Sequence, residues 1–219
     1  GAARGDRRGA RVTPAFGPEA LRAALAARVP IEYPALPGRT NHLRAGVLVP
    51  LVWRPEPVAI LTLRPPHLRH GGEVSFPGGK PEPQDLDLVD TALREAREEL
   101  GIAGAQVLGR LSSIPLFTSD YRLEPWVAAV PDAPLRPSPG EVAEVLELPL
   151  REVLERPAID AVPYTLEGEE ALSPVFFPGG HVLYGATAHG FFELLQVAAP
   201  LFWLPVPPLV PGRLGWGDL

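Results

Sequence analysis

A single α/β or α+β domain is what this sequence predicts, and three observations carry that expectation. Runs of strand character alternate with helical ones, a Glu-rich amphipathic helix lies near the middle, and neither an internal repeat nor a long low-complexity linker divides the chain. A chain of 219 residues is long enough for one such domain to bury a full core.

The elements follow in order. Residues 18–29 are strong helix formers that open on Pro18 and are stopped by Pro30. After a proline-broken loop, 45–52 and 58–64 are β-rich and almost continuously apolar, as buried strands are. The stretch 65–79 is too dense in Gly and Pro for a long regular element, and a helix is predicted over 88–100. Strands are predicted at 106–114 and 122–130, then, beyond a Pro-rich loop, a strand at 141–149 and a short helix at 150–155. The last predicted helix is 187–197. The expected division is a flexible segment 1–17, a domain 18–199 and a Pro-rich tail 200–219.

Composition narrows the partners. The 29 Pro and 22 Gly imply many turns and short elements. Without Cys there is no disulfide framework and no thiolate metal site, which is compatible with a reducing cytoplasm. A net charge of −6 argues against nucleic acid as a partner, so an anionic substrate needs local help from a metal or a few placed cations. No run reaches the roughly 20 apolar residues that span a bilayer. Arg4, Arg7, Arg8 and Arg11 precede no apolar run, unlike a secretory signal. No membrane partner is expected, and a homodimer is left open.

The predicted helix 88–100 carries the chemistry. At about 100° per residue, Val89, Ala92, Leu93, Ala96 and Leu100 form the core stripe, while Glu95, Glu98 and Glu99 fall together on the other side. Asp85 or Asp87 can cap its start, and Gly101 suits the left-handed position past its end. Carboxylates clustered on one helical face repel one another. Arg94 and Arg97 offset part of that, and Mg²⁺ or Mn²⁺, which prefer oxygen ligands, would offset more. Glu-rich helical faces are also common as plain solvated surfaces. Just upstream, Phe76-Pro77-Gly78-Gly79-Lys80 offers paired glycines whose backbone can approach an oxyanion closely, with a lysine charge beside them.

Residues 79–102 resemble the Nudix box: Gly, five residues, Glu, seven residues, then Arg-Glu-apolar-x-Glu-Glu-x-Gly-apolar. Its second half is matched from Arg94 to Ile102. Counting back from Arg94, Lys80 and Leu86 stand where the pattern has Gly and Glu. This departure resembles the coenzyme A pyrophosphatase branch, whose box is one residue longer with Asp near the missing Glu; here Gly79 is followed by Asp85 and Asp87. The upstream element of that branch is also similar, in Leu61-Thr62-Leu63-Arg64, Leu68-Arg69-His70 and Gly72 to Gly79. It departs at Pro65 and in a loop one residue shorter around His70. Later stretches at 121–127, 141–145 and 184–188 extend the resemblance over about 18–197.

The resemblance implies an α/β/α sandwich with a mixed central sheet. It implies Glu95 and Glu99 as main metal ligands, Glu98 as a third, and Arg94 as an orienting residue. Glu98, Glu99, Glu141 and Glu144 all stay open as the general base, since sequence contains no distances. Arg64, Arg69 and Lys80, with Gly78 and Gly79, are the candidate phosphate contacts. Tyr121 and Trp126 either stack on substrate or belong to the core. The implied reaction is metal-dependent hydrolysis of the anhydride in coenzyme A or acyl-CoA. Its alternatives are another nucleotide anhydride (ADP-ribose, NADH, a nucleoside triphosphate) or nucleotide binding without turnover.

Overall fold

The computed structural model describes residues 16–219. The N-terminal segment expected to be flexible thus lies outside the described residues as far as residue 15. Phe16 itself is tied down, its ring edge-on to Phe202 at 4.8 Å and its carbonyl accepting from Trp53 Nε1 at 2.8 Å.

In chain order the elements are α1 (Pro18–Ala26), β1 (Leu43–Trp53), β2 (Pro57–Leu63), β3 (Val74–Ser75), β4 (Gly78–Gly79), α2 (Leu88–Leu100), β5 (Gln106–Arg110), β6 (Ile114–Pro115), β7 (Tyr121–Ala129), β8 (Glu144–Pro149), α3 (Leu150–Leu154), β9 (Ile159–Leu166), β10 (Glu169–Pro174), α4 (Gly185–Phe202) and β11 (Leu209–Pro211). The main sheet runs β3-β2-β1-β7-β5, with β4 on β1, β6 on β7 and β8 on β2. It is mixed, because β1 and β7 run parallel from Leu43↔Tyr121 to Leu51↔Ala129 while its other pairs are antiparallel.

Strand alternation sends side chains to two separate cores. Leu48, Val52, Ile60 and Ala128 pack with Ala92, Ala96 and Leu100 of α2 on one side. Val47, Val49, Leu51, Ala59, Leu61 and Val127 pack on the other with α1, α3 and α4. The result is an α/β/α sandwich, the architecture expected from the sequence.

Helix α2 begins where Asp87 accepts a hydrogen bond from the Asp90 amide at 2.9 Å, and it ends at Gly101 with φ 68°. Its buried positions differ from the expected stripe. Thr91, Ala92, Ala96, Glu99 and Leu100 are buried, while Val89 and Leu93 are only half-buried. The helix is turned because it lies against bare glycine backbone in β1 and β4. A β-carbon on Gly46 would collide with the Leu88 carbonyl and lie 2.9 Å from Thr91 Cβ. The loop after β7 seals the other end of α2, with the Arg136 and Ser138 amides donating to the Leu100 and Glu99 carbonyls, both at 2.8 Å.

A second sheet, β10-β9-β11, was not anticipated. Its hairpin turns on Glu167 and Gly168, φ 52° and 87°, the two-residue geometry usually built from Asn-Gly or Asp-Gly. Pro163 lies inside β9, yet its carbonyl accepts from Trp216 Nε1 at 2.9 Å, on the side away from β10. Its missing N–H faces that same side, beyond the reach of β11, which pairs only with 159–161. The predicted strand 106–114 is split into β5 and β6, and the predicted helix 187–197 extends to Gly185–Phe202 through Pro200. The segment 200–219 therefore starts inside α4 and includes β11. Among the described residues no helix is long and apolar enough to cross a membrane.

We predict that Gly46→Ala lowers the stability of the fold by about 1–3 kcal/mol, the usual cost of overpacking. Chemical denaturation would measure it, and an unchanged midpoint would show that α2 is free to shift on β1.

Candidate active site

The site is built around the Arg94 guanidinium. Its Nε donates to Asp85 Oδ1 at 3.0 Å and its Nη2 to Asp85 Oδ2 at 3.1 Å. Nη1 donates to Glu95 Oε1 at 3.0 Å and to Glu98 Oε2 at 2.9 Å, and Nη2 also donates to the Lys80 carbonyl at 3.0 Å. Asp85 is therefore the carboxylate that grips Arg94, one position before Leu86, where the general box has its Glu. Asp85 also accepts from Thr91 Oγ1 and from the Glu82 amide, both at 2.9 Å.

These donors, Arg94 first, hold the Asp85 carboxyl far below the usual aspartate range, and Asp85 in turn raises Arg94. The sign of the linkage follows from a depressed folded-state value. The contribution is complete above about pH 4 and fades only in stronger acid.

Of the three glutamates, Glu99 is the buried one, 8% exposed, with Oε1 accepting from the Gly78 amide at 3.4 Å. Burial pushes it up to about 7 against that hydrogen bond, and the charges of Glu95 and Glu141 push the same way, while Arg64 pulls it down. Glu95 is half-buried, raised by burial, and packs so closely on β4 that a β-carbon on Gly79 would collide with its carboxylate. Glu98 is exposed. Expecting all three on one face opposite the core was correct for Glu98 alone. Glu99 stands at the boundary, because the glycine strand beside α2 makes that flank part of the interior.

The remaining candidates divide. Arg64, at the end of β2, is near enough for its charge to act on Glu99, and its Nε donates to the Arg69 carbonyl at 3.4 Å. Arg69 is exposed in the following loop, where His70, at φ 60°, pairs with Glu73 at 2.9 Å. Glu141 lies in the loop before β8, and its charge reaches Glu95 and Glu99. Glu144, three residues on, turns its carboxylate to His181 Nε2 at 3.3 Å. Lys80 is exposed with its ammonium over the Tyr121 ring. Trp126 packs into the α2-side core, and its indole N–H has no partner among the described residues. Sequence reasoning did not single out His181, which carried no partner pattern. It also missed Asn41, whose Nδ2 holds the Leu116, Ser119 and Tyr121 carbonyls at 3.0, 3.1 and 3.0 Å.

Among the described residues, no group of three His, Asp or Glu side chains converges closely enough to hold an ion as the side chains stand. The chemistry of the donors fits a divalent cation all the same. All are carboxylate oxygens, and Glu95 and Glu99 are both destabilised in their charged form by a burial that a cation would offset.

A family model for the NUDIX domain matches residues 42–167. The chain belongs to the Nudix family. It is 47% identical over 118 residues to "Uncharacterized Nudix hydrolase NudL" of Yersinia enterocolitica, a match covering 52% of this chain and 60% of that protein. The Yersinia pestis protein of the same name is 47% identical over 119 residues, covering 52% and 59%. The chain thus matches less than two thirds of the length of these relatives. Among solved structures, a MutT/nudix family protein from Enterococcus faecalis shares the fold, with a TM-score of 0.50 and 16% identity over 80% of this chain and 66% of that one.

Two outcomes are expected. Asp85→Asn should lower turnover at least about tenfold, on the scale of a lost charge-assisted hydrogen bond, while circular dichroism stays native. Wild-type turnover in that variant would remove Asp85 from the site. Mn²⁺ at about 100 times its Kd should stabilise the protein by roughly 2.7 kcal/mol, and the paired change Glu95→Gln with Glu99→Gln should abolish the shift in unfolding temperature.

Proposed function

We propose that this chain is a divalent-metal-dependent pyrophosphohydrolase that cleaves the anhydride of coenzyme A or acyl-CoA. Its products are adenosine 3′,5′-bisphosphate and (acyl-)4′-phosphopantetheine. The observation that carries the reading is the Asp85–Arg94 grip. It supplies from one position earlier the carboxylate that the general box lacks at Leu86, which supports reading this box as the lengthened kind that the coenzyme A branch carries.

In this reading Glu95 and Glu99 hold Mg²⁺ or Mn²⁺, with Glu98 as a third ligand, and Arg94 keeps Glu95 and Glu98 in place. Held there, the ion would supply positive charge against the phosphate oxygens and favour deprotonation of the attacking water. Arg64 and Arg69 contact the diphosphate, beside the Gly78-Gly79 backbone that lies against Glu95 and Glu99. The reaction adds water across one P–O–P linkage: a new P–O bond forms to the water oxygen, the bridging P–O bond breaks, and a carboxylate takes the water's proton. Glu98, Glu99, Glu141 and Glu144 are the candidates for that last role. The field of Glu141 at the metal-binding carboxylates favours it, whereas the carboxylate of Glu144 is engaged with His181.

The deciding measurement is incubation with coenzyme A, acetyl-CoA, ADP-ribose, NADH and nucleoside triphosphates in Mg²⁺ or Mn²⁺, with products identified by mass spectrometry. Cleavage of ADP-ribose with coenzyme A left intact would sink the substrate assignment. Glu99→Gln should lose activity by orders of magnitude and remain folded. Glu141→Gln should cost about 10²–10⁴ in kcat, the span of general base catalysis, against a smaller loss for Glu144→Gln. The reverse ranking would move the base to Glu144.

A further inference from the structure

Lys80 is the only lysine in the chain; every other Lys-or-Arg position is arginine. It directly follows Gly79, whose missing β-carbon would point into the Glu95 carboxylate on the α2 side of the sheet. Lys80 follows the end of β4 and precedes Pro81, which favours extended backbone, and successive extended residues face opposite sides, so its side chain leaves toward the α4 side. Its ammonium lies 5.0 Å from the centroid of the Tyr121 ring. Tyr121 is on that same side, since Val127 of the same strand packs in the α4-side core and Trp126 in the α2-side core.

Both partners are held from behind. Arg94 donates to the Lys80 carbonyl at 3.0 Å, and the Tyr121 carbonyl accepts from the Leu116 amide and from Asn41 Nδ2, both at 3.0 Å. A cation resting on a ring face is restrained without spending its N–H donors on a carboxylate. In a chain of net charge −6, such a cation attracts anions locally.

We propose that Lys80, with Tyr121 as its positioning residue, forms a second anion subsite across the sheet edge from Glu95 and Glu99. It takes a substrate phosphate monoester other than the two phosphates of the scissile anhydride. The proposal rests on the hydrolase reading above, and it selects nucleotide anhydrides that carry an additional ribose phosphate, as coenzyme A does.

A single lysine makes the test direct. Reductive ¹³C-methylation keeps the charge and labels Lys80 and the terminal amine, which a Lys80→Ala sample tells apart. The Lys80 signal should be shifted upfield by the ring. It should move on titration with adenosine 3′,5′-bisphosphate and not with adenosine 5′-monophosphate. Tyr121→Leu should abolish the upfield shift and weaken bisphosphate binding about tenfold, the loss of one charged contact, whereas Tyr121→Phe should preserve both. In kinetics, Lys80→Ala should raise KM for coenzyme A and leave that for 3′-dephospho-coenzyme A unchanged, with kcat little altered for either. Equal losses on both substrates, or equal response to the two nucleotides, would overturn the subsite. Should coenzyme A not be cleaved at all, the substrate reading fails by itself, and the titration, which needs no turnover, still decides the subsite.

Discussion

Everything at this site depends on one guanidinium. Arg94 is the point where the loop after β4, the start of α2 and two of its glutamates meet. Without it, Glu95 and Glu98 would lose the cation they share, leaving Arg64 to oppose the charge of Glu99 alone. Arginine suits the task because its planar fork offers five N–H donors in fixed directions, and Asp85 grips it with both carboxylate oxygens. A lysine could supply the charge but not the geometry.

The second constraint is closeness. Glycine at 46 and 79 removes side-chain bulk where α2 meets the sheet, so the helix settles deeply and draws Thr91 and Glu99 into the interior. That depth raises the cost of the Glu99 charge. A site of this kind stores unfavourable electrostatics in the folded protein, and a bound cation is the natural way to release it.

How far the sequence could be read depends on which signals were local. Helix α2 was legible to the residue, because Asp87, Gly101 and an apolar repeat are all written within the segment. Strands β1 and β2 were legible because both of their faces are buried, leaving nearly continuous apolar runs. The tilt of α2 was not, since periodicity weighs apolar side chains and cannot register glycines on a neighbouring strand. The sheet of β9, β10 and β11 was hidden by Pro163 and by a Glu-Gly turn outside the favoured pairs. At the site, Glu141 and Glu144 looked equivalent on one expected strand. In the fold the strand starts at Glu144, and the loop before it swings Glu141 toward α2. Lys80 read as a phosphate contact beside the paired glycines, and in the fold its ammonium lies over the Tyr121 ring.

The parallel pairing of Leu209–Pro211 with Ile159–Ala161 bears on how the molecule assembles. A parallel neighbour cannot be reached by a tight turn, so the chain must pass along α4 before it returns. The β9–β10 hairpin, closed by two residues, can form in about 1–10 μs. The third strand lies beyond the whole of α4 in the chain, so its pairing is the least local of the three. As the chain leaves the ribosome, the carboxylate helix and its glycine strand emerge well ahead of that last strand. The half that carries the carboxylates is therefore complete in the emerging chain before the small sheet can be.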